Sequence, residues 1–194
     1  NNNISKPVKY WNLSAHFFNN NFNTALLEPE KIINNLENKI EESIKLRMTS
    51  DVPIGAFLSG GIDSSLIVSL MQKISPDKIN TFTIGFENNS FNEAVYAKKI
   101  AEHLQTNHTE LYIKEKESLN LAYNCSSAWD EPFGDSSQIP MLLLSSLTSG
   151  SVKVALSGDG GDEFFCGYNR YVQGYNLFKL LSLTPTKIRK IISS

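Results

Sequence analysis

From Pro29 the apolar positions recur at helical spacing: Ile32, Ile33, Leu36, Ile40 and Ile44 continue one face to about Met48. Pro29 stands where a first helical turn tolerates proline. The short apolar run Pro53 to Leu58 (PIGAFL) stops at Ser59-Gly60-Gly61, and a second helix follows with Leu66, Ile67, Leu70, Met71 and Ile74 as its inner face. Ser75-Pro76-Asp77 ends it. Ile79 to Phe86 (INTFTIGF) alternates and is rich in Thr, Ile and Phe, which predicts a strand. Glu93 to Leu104 predicts a helix and His108 to Ile113 a strand; Ser118 to Trp129 and Ile139 to Leu147 predict helices, and Val152 to Leu156 (VKVAL) another strand. A glycine-rich break at 157–161 precedes a helix expected near Asp162, and Tyr171 to Ser194 carries weak helical periodicity. Strands alternating with helices of this length predict an α/β fold, a parallel sheet with helices on both faces.

Residues 1–28 are polar, aperiodic and spotted with aromatics, and read as a linker or docking segment with Tyr10, Trp11, Phe17 and Phe18 as anchors. The chain has 194 residues, enough for one domain. Its 18 basic and 20 acidic residues nearly balance, so no basic stripe marks a nucleic-acid binder. No apolar stretch approaches the length of a membrane span. Cys125 and Cys166 belong to no CxxC or Cys/His cluster, which favours a reducing, cytoplasmic setting. The abundant asparagines, as in Asn1-Asn2-Asn3 and Asn19-Asn20-Asn21, reflect compositional bias. His16, His103 and His108 lack metal-ligand spacing; His108 is expected to order a strand start, and Trp129 to be core.

Ligands on parallel sheets bind beyond the carboxyl ends of the strands. Two glycine-rich breaks follow two predicted strands there, where one site can draw on both. In the first, Ser59-Gly60-Gly61-Ile62-Asp63-Ser64-Ser65, small residues permit a tight turn and close approach to a ligand. Amides at the following helix start, with the hydroxyls of Ser59, Ser64 and Ser65, suit an anion. A Walker A loop is excluded, because the GxxxxGK[ST] pattern and its lysine are absent. Asp63 facing a phosphate directly would cost about 4 kcal/mol per charge pair at an effective dielectric near 20. Magnesium between them reverses the sign, and one or two carboxylates with phosphate and water suffice to hold it. Asp63 therefore points to metal-bound pyrophosphate; the bland alternative is a tight turn with Asp63 capping the helix. The second break, Ser157-Gly158-Asp159-Gly160-Gly161-Asp162-Glu163, combines glycines that clear space for a bulky ligand with acids that suit a cation or a proton. Its alternative is a solvated acidic turn.

The segment SGGIDSS resembles the PP-loop of ATP pyrophosphatases, and SGDGGDEFFCGYNRY resembles the second signature of the asparagine synthetase family, whose usual form is SGxGxDExFxGY. VPIGAFLSGGIDSS, TFTIGF, Asn92-Glu93-Ala94, Thr106 to Glu110 and DEPFGDSSQIP fit the same family in the same order, from roughly residue 10 to 175. The resemblance implies a PP-loop ATP pyrophosphatase (adenine nucleotide α-hydrolase-like) fold. It implies that a carboxylate attacks the α-phosphate of ATP, releasing pyrophosphate, and that ammonia opens the acyl-adenylate to an amide. Leu58, Ser59, Gly60, Gly61, Asp63, Ser64 and Ser65 match the pyrophosphate-binding loop, Ile84 the position whose backbone meets adenine, and Ser157 and Gly158 a second nucleotide contact. Asp63 and Asp162 match the magnesium-binding acids. Asp159 falls where many members have a catalytic glutamate for adenylate formation, and the shorter side chain is a departure. Cys166 takes a position usually held by glycine and is expected to be a small buried residue.

Resemblance also implies the partners: ATP, magnesium, ammonia, and a carboxylate, aspartate first, with sugar carboxylates and β-lactam precursors used by relatives. A glutaminase domain or subunit is expected upstream, because the family's glutamine-hydrolysing domain starts with cysteine and this chain begins at Asn1. The family's later lysine and RVPFLD-type segment has no counterpart before Ser194, and neither Lys187 nor Lys190 has a matching context. Residues 29–194 are thus expected to be a synthetase domain truncated at its C-terminal end, inactive or weakly active alone, or an adenine-nucleotide-binding module without catalysis. Neither nucleic acid nor membrane is expected as a partner, and a homodimer is one expectation for assembly.

Overall fold

The computed structural model describes residues 7–15, 28–86, 92–113, 125–131, 134–135 and 137–183. The chain divides into two compact units, Asn1–Glu42 and Ser43–Ser194. In the first, Tyr10 and Trp11 are exposed; Phe17 and Phe18, expected as anchors beside them, lie outside the described residues. Helix α1 (Pro29–Met48) forms where the periodicity places it, but of its apolar face only Ile44 is buried, while Ile32, Ile33 and Leu36 are exposed.

Among the described residues the second unit has four parallel strands: β1 (Ile54–Phe57), β2 (Asn80–Phe86), β3 (Asn107–Ile113) and β4 (Val154–Leu156). Between them run α2 (Ile62–Ile74), α3 (Ala94–Leu104), the short α4 (Cys125–Ala128) and α5 (Gln138–Thr148); α6 (Gly161–Phe165) and α7 (Asn169–Ser182) follow β4. Most of the helix expected at 118–129 lies outside the described residues, and Cys125–Ala128 is its visible part. Pro140 sits in the first turn of α5, where its missing N–H leaves no helical hydrogen bond unmade.

The sheet order is β3-β2-β1-β4. Successive strands step one way from β1 to β3, and then the chain returns to place β4 on the other side of β1. The order reverses between β1 and β4, which is the topological switch point where such sheets open a crevice. Thr81, Phe82 and Thr83 are buried in succession on β2, so both faces of the sheet are covered, as a parallel sheet requires.

The core gathers Ala56 and Leu58 from the β1 edge of the crevice, Val68, Leu70 and Met71 from α2, Phe82 from β2 and a stripe of Ala94, Ala97 and Ala101 on α3. The buried face of α2 is rotated from the one its greasiest positions suggested. Leu66 is exposed and Ser64 is buried, because the loop before the helix is tied through the Ser64 hydroxyl. His108 pairs in register with Thr81, whose buried hydroxyl meets His108 Nδ1 at 2.9 Å and the Thr106 hydroxyl at 2.9 Å. This bond orders the start of β3 as expected. Burial lowers the His108 pKa below the ordinary imidazole value, with Glu110 opposing the shift. Among the described residues no helix is long and apolar enough to cross a membrane.

Candidate functional site

The loop after β1 is held by its own hydroxyls. Ser59 and Ser64 share a 2.9 Å hydroxyl contact, the Ser59 amide donates to Ser64 Oγ at 3.2 Å, and the Ser65 hydroxyl donates to the Gly61 carbonyl at 2.5 Å. These hydroxyls shape the turn, and Ser59 and Ser64 also line the cavity described below. What remains for a ligand is the first turn of α2, whose leading amides have no acceptor within the helix. Gly61 is the N-cap and no side chain caps it, so Asp63 is not a helix cap.

Gly60 has φ +85°, and a Cβ there would lie 2.7 Å from Tyr96 Cβ and 2.9 Å from the Ala97 amide nitrogen. Its role is to pass α3, as well as to turn.

The loop after β4 closes directly onto the first. A Cβ on Gly158 would lie 2.7 Å from the Ser64 amide nitrogen, and one on Gly161 would lie 2.5 Å from the Asp63 carboxylate. These two glycines therefore clear space for the neighbouring loop, where the sequence suggested space for a ligand. Gly160 turns with φ +91° and has open space around it, with Phe164 no nearer than 3.8 Å. The Ser157 hydroxyl donates to Asp159 Oδ2 at 2.9 Å and so fixes that carboxylate from its own loop.

A cavity of about 480 Å³ lies over this junction, a size that suits a small-molecule ligand. Ser59, Gly61, Ile62, Asp63 and Ser64 form one wall; Gly158 to Glu163 with Tyr168 form the second. Of the residues picked from the sequence, Ser59, Gly61, Asp63, Ser64, Gly158, Asp159 and Asp162 come together here. Leu58, Gly60, Ser65, Ile84 and Ser157 do not line it. Leu58 is core and extends the ladder through its amide to the Phe82 carbonyl at 2.9 Å, while Ile84 is half-buried on β2 beside Leu111.

A third wall was missed as such: Trp129, Asp135, Ser137, Gln138 and Met141, around the start of α5. Trp129, expected in the core, is half-buried and faces this space. The motif DEPFGDSSQIP was the signal available, but its residues carry no chemistry of their own at a readable spacing. Asp135 forms a local turn by accepting from the Ser137 amide at 2.8 Å, a bond that lowers its pKa. Cys166 is not the small buried residue expected. It is exposed and has φ 58° at the end of α6, so the position wants a residue able to enter the left-handed region, which explains glycine better than smallness in a core does.

Carboxylates dominate the cavity: Asp63, Asp135, Asp159, Asp162 and Glu163 line it, and among its lining residues there is no lysine, arginine or histidine. Glu163 accepts a hydrogen bond from Tyr168 at 2.5 Å, which lowers the carboxyl pKa and pushes the phenol up to about 12. A polyphosphate entering such a cavity needs a cation beside it. Asp63 and Asp162 suit magnesium on this chemistry, since hard oxygen donors in small number leave room for phosphate and water. Among the described residues no three acidic, histidine or cysteine side chains group as a self-sufficient metal cage.

An α/β unit with a parallel sheet, crevice at the strand-order reversal and SGGIDSS at its edge defines a nucleotide-binding fold of the PP-loop class. The family model for asparagine synthase matches residues 35–191, and the chain belongs to that family. A putative asparagine synthetase [glutamine-hydrolyzing] 2 of Methanocaldococcus jannaschii is 38% identical over 169 residues, covering 87% of this chain and 31% of the relative. Asparagine synthetase [glutamine-hydrolyzing] 1 of Bacillus subtilis is 36% identical over 176 residues, covering 91% of this chain and 28% of the relative. The chain thus spans about a third of the length of these curated relatives. Among solved structures, the NH3-dependent NAD synthetase of Campylobacter jejuni aligns with a TM-score of 0.47 and 18% identity over 74% of this chain and 62% of that one.

Proposed function

We propose that this chain forms the ATP-binding part of an amide-forming ligase that activates a carboxylate, aspartate first among candidates, and passes it to ammonia. The observation that carries the reading is the convergence of the two glycine-rich loops, with Gly158 and Gly161 packed on Ser64 and Asp63 under one cavity. The amides at the start of α2 bind the β- and γ-phosphates as an anion at a helix N-terminus. Asp63 and Asp162 would hold magnesium, which when bound supplies the positive charge that lets phosphates sit among carboxylates. The substrate carboxylate oxygen then bonds to the α-phosphorus while the bond from that phosphorus to the bridging oxygen breaks, and pyrophosphate leaves with the electron pair. Ammonia attacks the carbonyl carbon of the acyl-adenylate, loses a proton to solvent and expels AMP. Asp159, fixed by Ser157, orients the acyl substrate against the α-phosphate. A glutaminase domain or subunit is the proposed source of the ammonia, and the cytoplasm the proposed setting.

The test is exchange of labelled pyrophosphate into ATP by the enzyme in which this chain stands with the remaining length of its relatives. Exchange should require aspartate. Asp159→Asn should lower it by about a hundredfold while ATP affinity stays within a few-fold, the pattern of a group that acts in the transition state. Exchange without any carboxylate substrate, or full exchange in the variant, would contradict the assignment.

A further inference from the structure

The acids on the wall after β4 have different tasks. Glu163 lines the cavity next to Asp162, yet its carboxylate accepts the Tyr168 hydroxyl at 2.5 Å. The Arg170 guanidinium lies 4.0 Å from the centre of the Tyr168 ring, close enough for a cation–π contact. Between Glu163 and Tyr168 the backbone passes through the left-handed Cys166. Gly167 then lies so close to Asp162 Oδ1 that a Cβ would collide, and its amide donates to the Asp162 carbonyl at 3.1 Å.

Helix α6 has five residues, none of them buried, and no side chain caps its start. A helix of that length has no stability of its own. It is fixed by the contacts that fold the chain back over it, and the bond from Tyr168 to Glu163 is a side-chain link among them.

From this geometry we infer that Tyr168 is a positioning residue for the metal–nucleotide site. Its hydroxyl clamps Glu163, and the clamp holds the turn that carries Asp162 to the cavity wall opposite the Asp63 loop. Arg170 keeps the ring in place from the outer side. Glu163 is thereby committed to Tyr168, and magnesium falls to Asp63 and Asp162. The inference rests on the reading of the cavity as a magnesium–ATP site.

The experiment measures ATP binding to this chain across a magnesium titration, and again in chelator, alongside the melting temperature without ligand. Tyr168→Phe keeps the ring and its contact with Arg170 but removes the hydroxyl. It should raise the magnesium concentration for half-maximal ATP binding about tenfold, the size expected for losing one hydrogen bond to a charged group. The melting temperature and the weak affinity in chelator should stay close to wild type, which a merely structural role would not produce. Glu163→Gln still offers an oxygen to Tyr168 and should shift the magnesium requirement less than Tyr168→Phe, whereas Asp162→Asn should shift it more. An unchanged magnesium requirement in Tyr168→Phe overturns the inference. So does a Glu163→Gln variant as impaired as Asp162→Asn, since Glu163 would then be a ligand itself. If wild type binds no ATP at any magnesium concentration, the underlying reading fails, and the inference with it.

Discussion

Asp63 is the residue on which the two loops meet. Its carboxylate has no capping duty at α2 and fills the space that Gly161 leaves open. Asp63→Asn keeps the shape and removes the charge, so magnesium-dependent ATP binding should fall at least tenfold with little change in melting temperature. Unaltered binding in a destabilised variant would make Asp63 a packing residue instead. Two glycine substitutions, one behind the cavity and one on its wall, separate folding from binding. Gly60→Ala places a side chain at φ +85° against the Ala97 backbone and should cost about 1–3 kcal/mol in urea unfolding. Gly161→Ala meets the end of the Asp63 side chain, which can swing away, so stability should hold while magnesium–ATP affinity drops.

At the scale of elements, the β2–β3 pair carries the clearest energetic signature. Thr81 is fully buried and its hydroxyl serves both Thr106 and His108, while His108 Nε2 is buried with no partner among the described residues. Thr81→Val leaves the Nδ1 side unpaired too and should cost about 1–3 kcal/mol by chemical denaturation. Because burial lowers the His108 pKa, the unfolded chain takes up a proton before the folded one does. Stability should therefore be steady above the ordinary imidazole pKa and fall as pH drops below about 6.5, flattening once the folded imidazole also protonates. His108→Gln should remove that slope and leave the separate, more acidic loss from Glu110, whose pKa is lowered chiefly by its bond from Tyr112. The strands and helices were legible because their periods are clean, as in INTFTIGF and the α3 stripe. What was not legible follows from long-range geometry. The rotated face of α2 depends on a serine hydroxyl, the exposure of Cys166 on one backbone angle, and the wall at Trp129 and Met141 on where α5 comes to rest. The glycines of both loops were visible as glycines, but only their neighbours show that Gly158 and Gly161 serve loop-to-loop contact while Gly60 makes room for α3.

For the whole molecule, sheet order decides where chemistry can occur. Placing β4 beside β1 brings residues about a hundred positions apart in sequence to one crevice, and the parallel register Ile54 to Val154 fixes their height along it. An acidic lining with no basic residue among the described ones is why the proposed nucleotide site calls for a cation. A calorimetric titration of this chain with ATP, once in magnesium and once in chelator, tests cation-dependent nucleotide binding most directly. Saturable binding in magnesium that weakens at least tenfold in chelator is the predicted result, and equal affinity in the two conditions, or no binding in magnesium, would contradict it.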